Sequence, residues 1–489
     1  MRIFSSLFVV LLLLSCTEKS DWFRYFPDTG TYSSPVIADL NGDGTGDIII
    51  GAGAKEDQHA DTAVIALDGK TGQLLWTISG RNQYVGSAVV LDITGDGIPD
   101  VFIGGRWAEF SAINGANGKV IWSFFPDRTN PDPSYAGWYN FTTAAIIADC
   151  DGDGLSDLLV TNGGDSKAEP ADTIRPPGKI LILSSASGKI LSSVTVPDNR
   201  EIYMPPICIF DSVSNKNMVY FGTGGETIGG HLYRTTLEAI RSGSIDSAVV
   251  LAEAAHKGFV APPVLADINS DAVPDIIINS AEGKLLAIDG RSDSLCWSVE
   301  LSGTEAYTIP AVGYFNEDSI PDFFCNFAIG VFPKLQQTVR FMVDGRNGNI
   351  LFRDTIPAFQ YASATAIDLN ADGTDEVLLY QSALKRRQFD EHYYSFPQVI
   401  DFKSGRVYSM GDSIPATNLA STPWIGDLNG DGSMEMIYAA VKYHDVEFNL
   451  ARPLGLLIGL QSLNVRPEQP LRWGGYKGSA GNGYFRPRR

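Results

Sequence analysis

Acidic side chains stand at alternate positions of a tight glycine turn in residues 39–50, DLNGDGTGDIII. Asp39, Asn41, Asp43 and Asp47 take positions 1, 3, 5 and 9 of a nine-residue segment, and Gly42 and Gly44 ease the bend. Hard oxygen donors at alternating positions, with a carbonyl near Thr45, match what a short loop must offer Ca2+. Three carboxylates this close repel one another unless a cation lies among them. The spacing returns in a second loop with Asp92, Thr94, Asp96 and Asp100, and in a third with Asp149, Asp151, Asp153 and Asp157. Further copies place Asp267, Asn269, Asp271 and Asp275, then Asp368, Asn370, Asp372 and Glu376. The last full copy has Asp427, Asn429, Asp431 and Glu435, which makes about six candidate Ca2+ sites. Mg2+ fits less well because it demands tighter octahedral geometry. Turns that merely favour Asp, Asn and Gly explain one such loop but not a fixed spacing. Two worn copies complete the series. The Tyr314 loop keeps Asn316, Asp318 and Asp322 without a first carboxylate, and the Asp211 loop carries Lys216 and reads as metal-free.

The elements that hold these loops repeat with them. First positions recur at intervals of 53 to 62 residues, giving eight units. In each, a short apolar run precedes the loop, a second follows it, a third ends in a tight turn such as ALDGKTG, and a fourth begins near Trp76, Trp122, Ser192, Trp297, Phe352 or Ser409. Short β-rich runs bounded by glycine turns are strands. Four strands per unit, eight times over, predict an all-β, eight-bladed β-propeller of four-stranded antiparallel blades across residues 22–464. Trp22 precedes Asp39 by 17 residues, the offset of the other fourth strands, so the N-terminal WFRYF is expected to close the ring. The LRW segment at Trp473 is the competing closure.

These loops and this blade grammar resemble the FG-GAP repeats of integrin α-subunit propellers and their bacterial relatives, over roughly residues 22–463. Phe221-Gly222 keeps the pair that names the family, and the turn at residues 66–76 also resembles the docking motif of quinoprotein-type propellers. The resemblance implies calcium sites that stiffen blades and a propeller surface that binds a partner. Integrin propellers have seven blades, which keeps seven as the alternative count and argues against transferring integrin ligands.

Thirty-seven basic against 57 acidic residues give −20, a poor match for nucleic acid. Six bound Ca2+ would bring this to about −8, so much of the acidity is ligand charge. Residues 1–15 read as a signal peptide, with Arg2 ahead of an apolar run too short to span a bilayer. Leu-Leu-Ser-Cys resembles a bacterial lipobox, which implies lipidation of Cys16, a tether over 16–21 and an outer-membrane lipoprotein facing the periplasm or the outside. An ordinary secretory signal is the alternative. The remaining cysteines read as buried single thiols, and residues 465–489 as a tail whose basic end is solvated.

Connections between second and third strands vary, with 22 to 33 residues from loop to turn, and one long fourth-to-first insertion covers residues 126–141. Both emerge opposite the acidic loops, and insertions on one face of a repeat array mark its binding surface. Trp107, Tyr135, Trp138, Tyr139, Tyr393 and Tyr394 are the candidate contacts there, able to grip a protein or a glycan or to pack neighbouring loops. The glycine run at residues 222–230 reads as a loop, not a phosphate cradle, and the five histidines lack metal spacing. The expectation is a non-enzymatic, calcium-binding propeller, lipid-anchored in the bacterial envelope, that touches the membrane only through its anchor. A polysaccharide-active lyase-like enzyme is the alternative, as is a quinoprotein-like scaffold for envelope assembly. A cleft ringed by Lys, Arg, Tyr or His would favour the enzyme, and the sequence displays none.

Overall fold

The computed structural model describes residues 21–488 except 57, 125–136, 166, 170, 333, 359, 388–389 and 444–452, with backbone only at 385–392. Strands assemble into eight antiparallel sheets arranged as propeller blades, the count expected from the repeats. The first blade is typical: Val36–Ala38 innermost, then Asp47–Gly51, Ala60–Leu67 and Leu74–Gly80 outermost. The second strand is buried at every residue, because neighbouring blades cover both of its faces. The outermost strand alternates exposed and buried, since one face meets solvent. Two blades gain a short extra strand, Asn140–Phe141 and Thr304–Glu305. Among the described residues helix is confined to Leu237–Arg241.

Ring closure follows the N-terminal expectation. Trp22–Pro27 pairs antiparallel with Pro453–Ser462, from Trp22 opposite Leu460 to Pro27 opposite Gly455. It is thus the outer strand of the last blade, and Trp473 is not.

The C-terminal segment departs from expectation. It crosses the axial channel and bonds to the innermost strands of several blades. Ala366 N donates to Trp473 O at 2.9 Å, Ile425 N to Gly474 O at 2.6 Å, and Leu265 N to Gly483 O at 2.8 Å. Trp473 and Phe485 are each 1% exposed. The basic end is docked, not solvated: Arg488 donates to Gly373 O at 2.7 Å and lies over the Tyr314 ring. Burying two large aromatic rings outweighs the freedom of a loose tail. The four described cysteines are unpaired, but only Cys325 is buried; Cys296, on an outer strand, is exposed.

Candidate functional site: a clamped loop face and an axial funnel

The acidic loops all lie between first and second strands, hence on one face. Their positions play different roles. First-position carboxylates shape the loop: Asp39 accepts from Gly42 N at 2.7 Å and Gly44 N at 2.9 Å, and Asp92, Asp149, Asp267 and Asp427 repeat the pattern. In the third loop Asp149, Asp151 and Asp153 offer oxygens within 4.8 Å of one another. That donor set is hard and anionic, which suits a divalent cation.

The third loop has Asp at positions 1, 3 and 5 where the other five full copies carry Asn or Thr at position 3, and among the described residues it is the loop that gathers three acidic oxygens this closely. At the third and fifth positions the expected ligands bond within their own turns, in the third loop as in the others: Asp151 accepts from Asp153 N at 3.3 Å and Asp153 from Leu155 N at 2.8 Å. Thr94 presents its amide, which donates to Asp100 at 3.0 Å, and Asp96 accepts from Ile98 N at 2.9 Å. Asn41 accepts through its side-chain oxygen from Asp43 N at 2.9 Å, and Asn269 from Asp271 N at 3.0 Å. Asn370 accepts likewise from Asp372 N at 2.9 Å, and Asn429 from Asp431 N at 3.0 Å. Asp43 accepts from Thr45 N at 2.8 Å, and Asp431 from Ser433 N at 2.7 Å. The physical reason is local: a short Asn or Asp side chain readily caps the amide two residues on. Each such oxygen keeps a second lone pair, so the cap does not bar a cation.

Ninth-position carboxylates are turned inward. Asp47, Asp100, Asp157 and Asp275 are fully buried, and Glu376 and Glu435 nearly so. Asp47 accepts from Leu40 N at 2.8 Å and from Gly69 N, in the third-to-fourth turn, at 2.9 Å. The side-chain amides of Asn269 and Asn370 donate to their own ninth positions, Asp275 at 3.3 Å and Glu376 at 2.9 Å. Burial pushes Asp47 and Asp275 up to about 6 and Glu376 up to about 8, against the pull of the backbone amides. Two loops meet internal cations: Arg291 Nε lies 2.7 Å from Asp271 and Lys403 Nζ 3.6 Å from Asp372, while Arg346 reaches Asp318 in the worn Tyr314 loop. These side chains stand where they compete with a metal. In the Asp211 loop the carboxylate caps Ser214 inside a short turn.

In four of the blades one residue joins the loop to the neighbouring blade. Gly69, whose amide bonds Asp47, accepts through its carbonyl from Trp22 Nε1 of the preceding blade at 3.0 Å. Gly115 does the same between Asp100 and Trp76, Ser185 between Asp157 and Trp122, and Gly345 between Asp322 and Trp297. Gly69 must be glycine, since a Cβ there would fall 1.8 Å from Gly46 O. Loop, turn and adjoining blade therefore form a carboxylate–peptide–indole clamp.

The opposite face carries a funnel on the propeller axis, with a cavity of about 380 Å3. Fourth-to-first connections supply Tyr32, Tyr307, Tyr361 and Leu419; second-to-third connections supply Glu56, Arg106, Glu226 and Phe332; Tyr476 of the C-terminal segment also lines it. Arg106 Nη2 lies 2.8 Å from Glu56, and Lys257 Nζ 2.6 Å from Glu305, which also accepts from Tyr307 Oη at 2.5 Å. Behind them Arg175 lies 3.8 Å from Glu201, whose other partner is Tyr203 Oη at 3.1 Å. Burial pushes Glu201 up to about 7 and also raises Glu226. Glu226 sits in the glycine run, which the sequence correctly marks as a loop. The glycines let backbone segments touch: a Cβ on Gly230 would lie 1.9 Å from Thr223 O, and Gly224 has φ +78°.

Of the expected partner contacts, Tyr393 packs against the buried Ala328, Leu335 and Leu419, the cluster that Tyr307, Phe332 and Tyr361 of the funnel also cover. Trp107 lies under Lys167 at 4.0 Å, and Trp138 lies under Lys179 and against Phe124. Tyr139 N is held by Asn162 Oδ1 at 2.9 Å, and these three are not among the residues that line the funnel. Tyr394 stacks on Phe396. Tyr135 and Cys16 lie outside the described residues. Sequence reasoning missed Glu56, Arg106, Glu226, Tyr307 and Tyr361, which come from separate connections with no common spacing.

No protein-family profile matches the chain. Human protein FAM234B is 23% identical over 421 residues, covering 78% of this chain and 62% of its own length. The chain thus spans less than two thirds of that relative. The quinohemoprotein alcohol dehydrogenase of Comamonas testosteroni superposes with TM-score 0.55 at 12% identity, over 94% of this chain and 80% of that one. The rhamnogalacturonan lyase YesW gives 0.54 at 14%, over 94% and 76%. The quinohemoprotein alcohol dehydrogenase ADHIIG of Pseudomonas putida HK5 gives 0.55 at 10%, over 93% and 77%. These likenesses show the fold alone.

Proposed function

We propose that this chain is a non-catalytic, calcium-stiffened propeller scaffold, held in the bacterial envelope by lipid on Cys16, that docks a partner protein at its axial funnel. The observation that carries the docking is the funnel itself: a cavity of about 380 Å3 on the face where connections vary. That size falls within the range of ordinary ligand sites. Calcium in the acidic loops would hold the third-to-fourth turns, and through them the clamps between blades. Asp149, Asp151 and Asp153 are the best-gathered ligands. The test is capture of partners from intact cells, with and without calcium, by the wild-type chain and by Ala420→Trp, which fills the funnel. Partners held by wild type and lost by the filled variant support the reading; partners held equally by both refute it. Lipidation is checked by fatty-acid labelling that Cys16→Ser abolishes.

A glycan occupant and a polysaccharide-active enzyme form a second reading, favoured by Arg106 and Tyr307 in one cleft, with Lys257 behind it joined to Tyr307 through Glu305. The surplus of carboxylate over cation in that lining opposes an acidic sugar, and absence of products from pectic substrates would exclude a lyase.

A further inference from the structure

The charges of the funnel do not cancel. Glu56 is matched by Arg106, Glu305 by Lys257 and Glu201 by Arg175. Glu226 has no basic nitrogen of the described residues within ion-pair distance. Lys257 Nζ takes its backbone carbonyl instead, at 2.6 Å, so the lysine fixes the loop without neutralising the carboxylate. Four tyrosines, Tyr32, Tyr307, Tyr361 and Tyr476, line the same cavity, and Tyr307 meets Tyr361 edge to face with centroids 5.0 Å apart. Arg106, Lys257 and Arg175 draw on the half-buried Glu226 carboxylate only from beyond ion-pair distance, each being engaged by another carboxylate, so a cation brought beside it would be its first direct partner. Tyrosine rings add attraction through their negative faces.

We propose that the funnel is a site for an organic cation, an ammonium or guanidinium group that settles against Glu226 among Tyr32, Tyr307 and Tyr361. This rests on the reading of the funnel as the docking site and gives that site its chemical preference. The cation comes either from a free small amine or from a basic side chain of the docked protein. An anion is disfavoured, because it would meet Glu226 and Glu56 while the guanidinium of Arg106 is already engaged by Glu56.

Calorimetric titration of the full chain tests this with four probes: agmatine, an acetylated and amidated lysine peptide, galacturonate and cellobiose. Agmatine or the peptide binds saturably, and Glu226→Gln weakens that binding by about tenfold or more without lowering the unfolding midpoint. The acid and the neutral sugar do not bind. Agmatine binding at least as well as the peptide assigns the cation to a free amine; a markedly tighter peptide assigns it to a protein side chain. Galacturonate or cellobiose binding as tightly as the cations, cation binding indifferent to Glu226→Gln, or silence from both cations overturns the proposal. Docking is judged separately: a partner lost with Ala420→Trp but indifferent to Glu226→Gln leaves docking standing and removes the cation, whereas a partner indifferent to Ala420→Trp removes docking.

Discussion

Replacing Trp22 by alanine tests ring closure at its seam. The side chain is 8% exposed, its ring lies so close over Gly72 that a Cβ there would approach within 2.5 Å, and its indole N–H reaches Gly69 O at 3.0 Å. Removing a large buried aromatic side chain costs about 3–5 kcal/mol, from lost transfer energy and the cavity left behind. Gly69 is buried, so losing the indole also leaves its carbonyl unpaired away from water, which adds about 1–3 kcal/mol. A loss near the upper end, about 5 kcal/mol, is expected for Trp22→Ala. Trp76→Ala, which breaks the same contact one blade further on, should cost a similar amount. Arg24→Ala, on the exposed edge of the same strand, should stay within about 0.5 kcal/mol. Urea unfolding followed by tryptophan fluorescence and circular dichroism reads all three. A Trp22→Ala chain as stable as Arg24→Ala would refute closure by the N-terminal strand.

Two further perturbations bear on the loop face and the axis. Arg291→Gln removes the guanidinium that occupies Asp271, so calcium should bind that loop more tightly, read as an added or strengthened site in calorimetry; an unchanged isotherm would show that the arginine does not compete. Lys477 is 4% exposed, and burial lowers it from 10.5 to about 8, with Ala144 O at 3.5 Å as its acceptor. The folded chain releases this proton before the unfolded chain does, so the cost of burying the charge is full below pH 8 and fades between pH 8 and 10.5. Lys477→Met should therefore be more stable than wild type at pH 7, by at most about 3 kcal/mol. The gap should narrow by about pH 10, and equal urea midpoints at both pH values would refute the burial of an unpaired charge.

The blades were legible because their signal is local and repeated. An acidic loop, an aliphatic strand and a glycine turn recur in one order, and strand periodicity does not depend on distant contacts. The 17-residue offset of Trp22 identified the closing strand for the same reason. The ninth loop position was legible as a carboxylate, but not as one that also bonds a turn some twenty residues away, as Asp47 does at Gly69. Spacing also made the six loops look alike, whereas the Arg291 and Lys403 side chains beside Asp271 and Asp372 set two of them apart. The funnel was hidden because Glu56, Arg106, Glu226, Tyr307 and Tyr361 converge only after the ring closes, each from a connection of its own length. The glycine run around Glu226 was the one local trace. Arg488 misled in the opposite direction: a basic terminus reads as solvated unless one knows that Tyr314 and Gly373 wait at the rim of the channel.

Whether the acidic loops hold calcium, and through it tighten the clamps between blades, is decided by titrating the ion into chelator-treated protein. Calorimetry and the unfolding midpoint are read on the same sample. Saturable binding at several sites is expected, with the third loop, where Asp149, Asp151 and Asp153 gather, filling first. Each site should add about 2.7 kcal/mol of stability at roughly a hundredfold excess over its Kd. A flat isotherm with an unchanged midpoint at millimolar calcium would contradict calcium stiffening outright.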